Sequence, residues 1–253
     1  MTTRAVGAGK LSASSPILDD GDELHFCSTC AFGSVCLPAG VDKRALQELH
    51  MLVEHVGPYR TGDVIFRQGD TFTAIFAVRS SMVKTRMVDV DGHEQVLGFH
   101  LPGEVIGLNA IHPARYPCDA VALDTVYVCR FSFPALATLA TRIPNVQQRL
   151  FEMLSADIGR FAQLAGDHSA DERLAAFLLE LSSRFDARGF SARAFRLTMA
   201  RTDIANYLRL ASETVSRVLR RFQESGLVRV DGREIELTDL PRLRDLARKL
   251  PVN

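Results

Sequence analysis

The chain has 253 residues, 47% hydrophobic and 24% charged, with 30 Lys+Arg against 30 Asp+Glu. This is the balance of a globular protein with material for about two domains. No run approaches the ~18 uninterrupted apolar residues of a membrane helix, and Met1 to Asp22 lacks the apolar stretch of a secretory signal, so a cytoplasmic protein without a membrane partner is expected.

The neutral total conceals an asymmetry. Residues 1–170 hold 14 basic against 18 acidic side chains, and residues 171–253 hold 16 against 12. A basic C-terminal part on an acidic N-terminal part points to an anion, such as nucleic acid, meeting the C-terminal end.

The first fifteen residues are rich in Ser, Gly and Ala, and residues 1–22 are expected to be disordered. Three of the five cysteines follow at once, as Cys27-x2-Cys30-x5-Cys36. An odd count in a chain without an export signal argues against a disulfide framework. Thiolates this crowded repel one another and need a cation or cluster. Zinc sites commonly repeat Cys-x2-Cys in two pairs, and no second pair exists. Three Cys on one loop plus a distant fourth suit an iron–sulfur cluster better. Spacing alone leaves zinc open, and leaves both Cys118 and Cys129 as fourth ligand.

Short runs rich in β-branched and aromatic residues come next: Asp63–Arg67, Ala74–Arg79, Met82–Val88, Glu94–Phe99 and Thr125–Phe131. Glycines punctuate them, and Asp91-Gly92 is a hairpin signal. Such strands predict a compact antiparallel roll or barrel over 23–143. From Pro144 the pattern turns helical, with Val146, Leu150, Met153, Ile158, Phe161 and Ala165 forming one stripe close to a heptad seam. A helix over 144–168 joining two domains is expected to pair with a second copy, through Leu150, Met153, Ile158 and Phe161. The rival reading packs this stripe on its own domain.

Ser169-Ala-Asp-Glu172 is a capping box, so a new helix and a domain spanning 169–253 are expected there. Residues 201–223 then read as two short helices. The first spans Thr202–Leu208, with small Ala205 allowing a close crossing, and the second begins near Ser212 as N-cap. Val215, Val218, Leu219 and Phe222 share one face, and Glu213, Ser216, Arg217 and Arg220 the other. Arg can donate two bonds to guanine, Glu can accept from cytosine N4, and Ser can contact either base type, as double-stranded DNA readout requires. Leu227–Val230, Asp231-Gly232 and Arg233–Leu237 predict a β-wing. Arg209 stands at a turn that favours glycine, at a cost of ~1 kcal/mol if φ is positive.

The run from Ala170 to Val228, with the cysteine motif before it, resembles the FNR-type regulators of the CRP/FNR superfamily. The similarity extends from about Phe26 to Val230. It implies an α+β chain: a cyclic-nucleotide-binding-like β-roll, a long dimerisation helix and a C-terminal winged helix-turn-helix. Glu213, Ser216 and Arg217 match the family's base-reading E-x-x-S-R, implying a homodimer on TTGAT-type inverted repeats, with RNA polymerase as protein partner. Cys27, Cys30 and Cys36 match its [4Fe–4S] motif. Val128-Cys129-Arg-Phe-Ser-Phe133 matches the strand carrying the fourth ligand, implying Cys129 rather than Cys118. Alternation places Cys129 on one face with Tyr127 and Phe131. The resemblance implies an oxygen-responsive regulator whose cluster-bound form favours the DNA-binding dimer. Gly103-Glu-Val-Ile-Gly107 matches part of the superfamily's phosphate cassette, but no Arg-Ser pair follows it, so no cyclic nucleotide is expected. The sequence shows no catalytic constellation.

Overall fold

A computed structural model describes residues 27, 30, 33–164, 166 and 168–248, and the segment 1–22 lies outside them. Helix α1 (Lys43–His50) starts where the Asp42 carboxylate accepts from the backbone N–H groups of Arg44 and Ala45, both at 2.9 Å, closing orphan donors of the first turn. Eight strands follow: β1 (Val53–Tyr59), β2 (Val64–Phe66), β3 (Ala74–Val78), β4 (Val83–Val88), β5 (Glu94–His100), β6 (Val105–Ile106), β7 (Asp119–Ala122) and β8 (Val126–Ser132). They form two antiparallel sheets, ordered β1-β8-β3-β6 and β2-β7-β4-β5.

Strand alternation decides what each face meets. Ala74, Phe76 and Val78 of β3 join Val126 and Val128 of β8 in the roll's interior, with Phe66, Tyr116 and Cys118. Ile75, Ala77 and Phe131 point the other way, and the partly buried Cys129 packs with them. Helices α2 (Phe133–Arg142) and α3 (Pro144–Leu164) cover that outer face.

The α3 stripe divides between two environments. Leu150 is 8% exposed and lies with Val146, Leu136 and Phe131 in the chain's own core, and Met153 packs against the same cluster. Of these two expected seam residues, Leu150 is buried in its own chain and Met153 partly so, because the helix's first turns lie on the roll. Ile158 is 70% exposed and Phe151, one heptad before it, 60%. The side chains of Phe161 to Leu164 and the whole of Ala165 lie outside the described residues.

The C-terminal part comprises α4 (Ala170–Asp186), β9 (Ala194–Arg196), α5 (Arg201–Leu208), α6 (Ser212–Glu224), β10 (Val228–Asp231), β11 (Glu234–Leu237) and α7 (Leu240–Leu246). The capping box forms, with Ser169 N–H donating to Glu172 at 2.8 Å and Glu172 N–H to the Ser169 hydroxyl at 3.3 Å. The expected two-stranded wing gains a third strand, in the order β10-β11-β9.

This part docks on the roll. Met82, Val96, Phe99 and Leu101 share one apolar cluster with Phe177, Tyr207 and the α6 core. Asn206 of α5 completes the open edge of β5 as another strand would, accepting from Val96 N–H and donating to Glu94 O, both at 2.6 Å. Lys84 reaches Asp203 at 2.7 Å. Glu104, at the turn before β6, takes Arg184 at 2.5 Å and Arg188 at 2.7 Å.

Candidate functional site

Cys36 and Cys129 come together from distant parts of the chain in one core cluster. Cys36 is 8% exposed in the core beside α3. Burial pushes its thiol pKa up, and the negative potentials of Cys129, Cys30 and Cys27 push it further. Burial, Cys27 and Cys30 also raise Cys129, to about 12, against the lowering effect of Arg79. Burial and Cys30 raise Cys27 to about 11. Cys36 and Cys129 pack in one apolar cluster, and Cys27 and Cys30 act electrostatically on both.

Cys118 stands apart. It is fully buried in the roll's interior, with Asn109 Nδ2 3.7 Å from its sulfur. Burial raises its pKa, and the one charged neighbour acting on it is Asp119 rather than another thiol.

Thiols are the ligand type that suits soft transition metals and iron–sulfur clusters. The backbone around Cys27 and Cys30 is close: a Cβ on Gly33 would sit 3.3 Å from Cys30 O and 3.4 Å from Cys27 O. His55 faces Cys129 across the β1–β8 pair, its Nδ1 3.6 Å from Cys129 Sγ. Burial, Arg79 and His50 lower the His55 pKa to about 4, so the imidazole is neutral at physiological pH.

A different trio, Asp89, Asp91 and His93, gathers at the exposed tip of the β4–β5 hairpin. There Asp89 accepts from the N–H groups of Asp91 at 2.9 Å and His93 at 2.8 Å, which accounts for it as turn chemistry.

The second site is the α5–α6 pair. Ile204, Ala205 and Leu208 meet Val215, Val218, Leu219 and Phe222 in the core, while Glu213, Ser216, Arg217 and Arg220 are exposed. Arg209 adopts φ +55°, the left-handed geometry expected of this turn. The cap differs from expectation: Ala211 is N-cap of α6 without a side-chain bond, and Ser212 is the first helical residue. Arg217 contacts Thr214 at 3.2 Å and Arg220 contacts Glu224 at 3.0 Å. Both guanidiniums stay on the solvent side, where weak surface pairs exchange readily for DNA.

Comparison with known proteins agrees with this arrangement. Residues 172–246 match the model of the Crp-like helix-turn-helix domain, and residues 57–142 that of the cyclic nucleotide-binding domain. The chain is 43% identical over 216 residues to the transcriptional activator protein FnrA of Stutzerimonas stutzeri, covering 84% of this chain and 88% of that one. The chain belongs to the FNR-type regulators of the CRP/FNR superfamily. It is 38% identical over 234 residues to the fumarate and nitrate reduction regulatory protein of Escherichia coli K12, covering 91% and 93% of the two chains. The solved structure of FixK2 from Bradyrhizobium japonicum superposes with TM-score 0.70 at 29% identity, over 77% of this chain and 96% of that one.

As a regulator of this family the protein binds DNA through its helix-turn-helix domain. No described helix is long and apolar enough to cross a membrane. Reading the sequence did not single out His55 as Cys129's neighbour, Asn206 as a clamp on β5, or Arg149. The Arg149 guanidinium on α3 reaches the backbone of the cysteine loop.

Proposed function

We propose that this FNR-type regulator is an oxygen-responsive transcription regulator holding a [4Fe–4S] cluster on Cys27, Cys30, Cys36 and Cys129. The observation that supports the reading is that Cys36 and Cys129 share one core cluster, with Cys27 and Cys30 acting electrostatically on both, while Cys118 is buried in the separate interior of the roll. The raised thiol pKa values of Cys27, Cys36 and Cys129 mean that these three sulfurs are costly as anions until positive charge lies among them. A bound cluster supplies that charge and an oxygen-labile bond between loop and β8. The chain's own residues fix Cys36 in the core and Cys129 on a central strand, leaving Cys27 and Cys30 to close from the loop.

The exposed row Gln148, Phe151, Ser155 and Ile158, at alternating steps of three and four, meets a second copy across a two-fold axis. The dimer presents two α6 helices to half-sites of an inverted TTGAT-type repeat and works with RNA polymerase in the cytoplasm, activating or repressing anaerobic genes. Arg217 reads guanine, Glu213 cytosine, Ser216 a neighbouring base edge, and Arg220 the adjoining base or phosphate. We divide the chain into a sensory roll over 23–143, a dimerisation helix over 144–168 and a DNA-binding domain over 169–253.

Cyclic nucleotide has no place in this reading. Arg115 is the one Arg between Asn109 and Val121, and it is exposed and donates to Gly69 O at 2.8 Å, outside the roll. Glu104 of the cassette fragment is engaged by Arg184 and Arg188.

A second reading, a small-molecule regulator with zinc or redox-active thiols, draws on a cavity of about 230 Å³ between roll, α3 and the DNA-binding part, lined by Phe99, His100, Leu154 and Phe177. The visible spectrum of anaerobically purified protein separates the two. Brown protein that bleaches in air and simultaneously loses DNA affinity supports the cluster, whereas colourless protein with air-stable DNA binding refutes it.

A further inference from the structure

The segment Val35 to Gly40 runs over the first turns of α3 and is fastened there twice. Arg149 donates from Nη2 to Val35 O at 2.7 Å and from Nε to Cys36 O at 3.3 Å. Asn145 Nδ2 donates to Gly40 O at 3.0 Å. Between these ties Cys36 and the fully buried Leu37 pack with Val146 and Leu150. The acceptors are main-chain carbonyls, so Arg149 holds the loop's path rather than any one of its side chains. Its third arm, Nη1, donates to Glu152 Oε2 at 3.0 Å, one turn along the same helix. The guanidinium thus spans loop and helix two residues before Phe151, the first large apolar side chain of the exposed row.

We propose that Arg149 is the positioning residue that couples the cysteine loop to the partner-facing row of α3. The coupling half of this proposal rests on the cluster reading above. With the loop tied to β8, Val35 O and Cys36 O stay in place, and Arg149 is stretched between them and Glu152. With the loop released, the two carbonyls can withdraw, leaving Glu152 as the remaining partner. Arg149 then makes one hydrogen bond, within its own helix, where it had three. An equilibrium biased at one end is biased equally at the other, so pairing of two α3 helices should in turn hold the loop closed and shelter Cys36. The device uses an arginine because only a planar fork of donors serves two successive carbonyls and a carboxylate together.

The test compares the parent with Arg149→Met and Arg149→Lys in the full-length protein. In the cluster-free form, maleimide labelling of Cys36 is followed by peptide mass spectrometry against Cys118, and the ratio of the two rates is read. Arg149→Met should raise that ratio about ten-fold through local opening, with Arg149→Lys in between. An unchanged ratio overturns the clamp, and so does a general loosening that speeds both thiols alike. In the anaerobic form, iron content and the dimer dissociation constant are measured with and without cluster. Arg149→Met should still bind iron, while the gap between the two dissociation constants shrinks to less than about a third of the parent's. A full gap in Arg149→Met overturns the coupling. A colourless, iron-free parent removes the cluster reading and the coupling with it, and the labelling ratio then judges the clamp alone.

Discussion

Glu213, Ser216, Arg217 and Arg220 stand in solvent on a helix whose other face is locked by Val215, Val218, Leu219 and Phe222. The cysteine centre is built the opposite way, with Cys36 buried, Cys129 half-buried, and their thiols raised in pKa by burial and by one another. This polar face of α6, proposed to read DNA, is formed before any partner arrives, since exposed charges cost little to keep. In the proposed cluster reading, the sulfurs would be unfavourable as an array of anions and favourable only with a cation among them. A regulator needs both kinds of site, one preformed so that binding is fast and specific, the other incomplete so that its state can be altered.

The largest expected effect comes from confusing the two faces of α3. Leu150→Ala should cost about 2–5 kcal/mol of folding stability, because it empties a core position, and denaturant titration reads this directly. Ile158→Asp should leave that stability nearly unchanged and instead weaken self-association in sedimentation of the anaerobic form. Equal loss of stability in both would erase the distinction between inner and outer rows.

Arg217→Ala should weaken specific DNA binding by ~1–3 kcal/mol and relax preference at one guanine. Glu213→Ala should relax the cytosine side of the same half-site. Competition among single-base variants of a palindromic site at fixed salt measures both. A uniform loss across all variants would make Arg217 a phosphate contact, with a salt slope lowered by ~1.

Docking of the DNA-binding part should depend on acid. Burial raises the Glu104 pKa, but Arg184 and Arg188 more than reverse this and hold it at about 2, below the ordinary 4.5. A group depressed on folding stabilises the folded form above its unfolded pKa. The contribution is therefore complete above about pH 4.5 and vanishes as pH falls toward about 2. Hydrogen exchange in β5 and α4 should rise across that window, and Arg184→Gln should shrink the step and move it toward higher pH, Arg188 remaining as partner. A parent whose exchange is flat there would contradict the role given to this pair.

The smallest effect belongs to Arg209, at φ +55°. Arg209→Gly should stabilise the C-terminal part by up to ~1 kcal/mol without changing base preference. A loss of stability would mean that the Arg side chain offsets its backbone strain.

Legibility followed the same division. Helices α5 and α6 could be read because apolar and polar residues segregate at helical spacing and the two helices pack on each other as near neighbours in sequence. Five of the roll's strands showed themselves by β-branched runs. Strand β7, Asp119-Ala-Val-Ala, offers small residues with little strand preference, and β1 breaks its alternation at His55 and Gly57-Pro58. The α3 stripe was visible as one feature, yet it serves two neighbours, and periodicity alone does not tell the chain's own roll from a second copy. Arg149 and Asn206 left no signal at all, because their partners are backbone atoms more than a hundred residues away.

The most direct test of the four-sulfur centre is an iron and sulfide count on protein purified without oxygen, comparing the parent with Cys129→Ser and Cys118→Ser. About four iron and four sulfide per chain are expected in the parent and in Cys118→Ser, as one [4Fe–4S] cluster requires, with neither retained in Cys129→Ser. Full occupancy in Cys129→Ser together with loss in Cys118→Ser would place the fourth ligand inside the roll and contradict the centre described here.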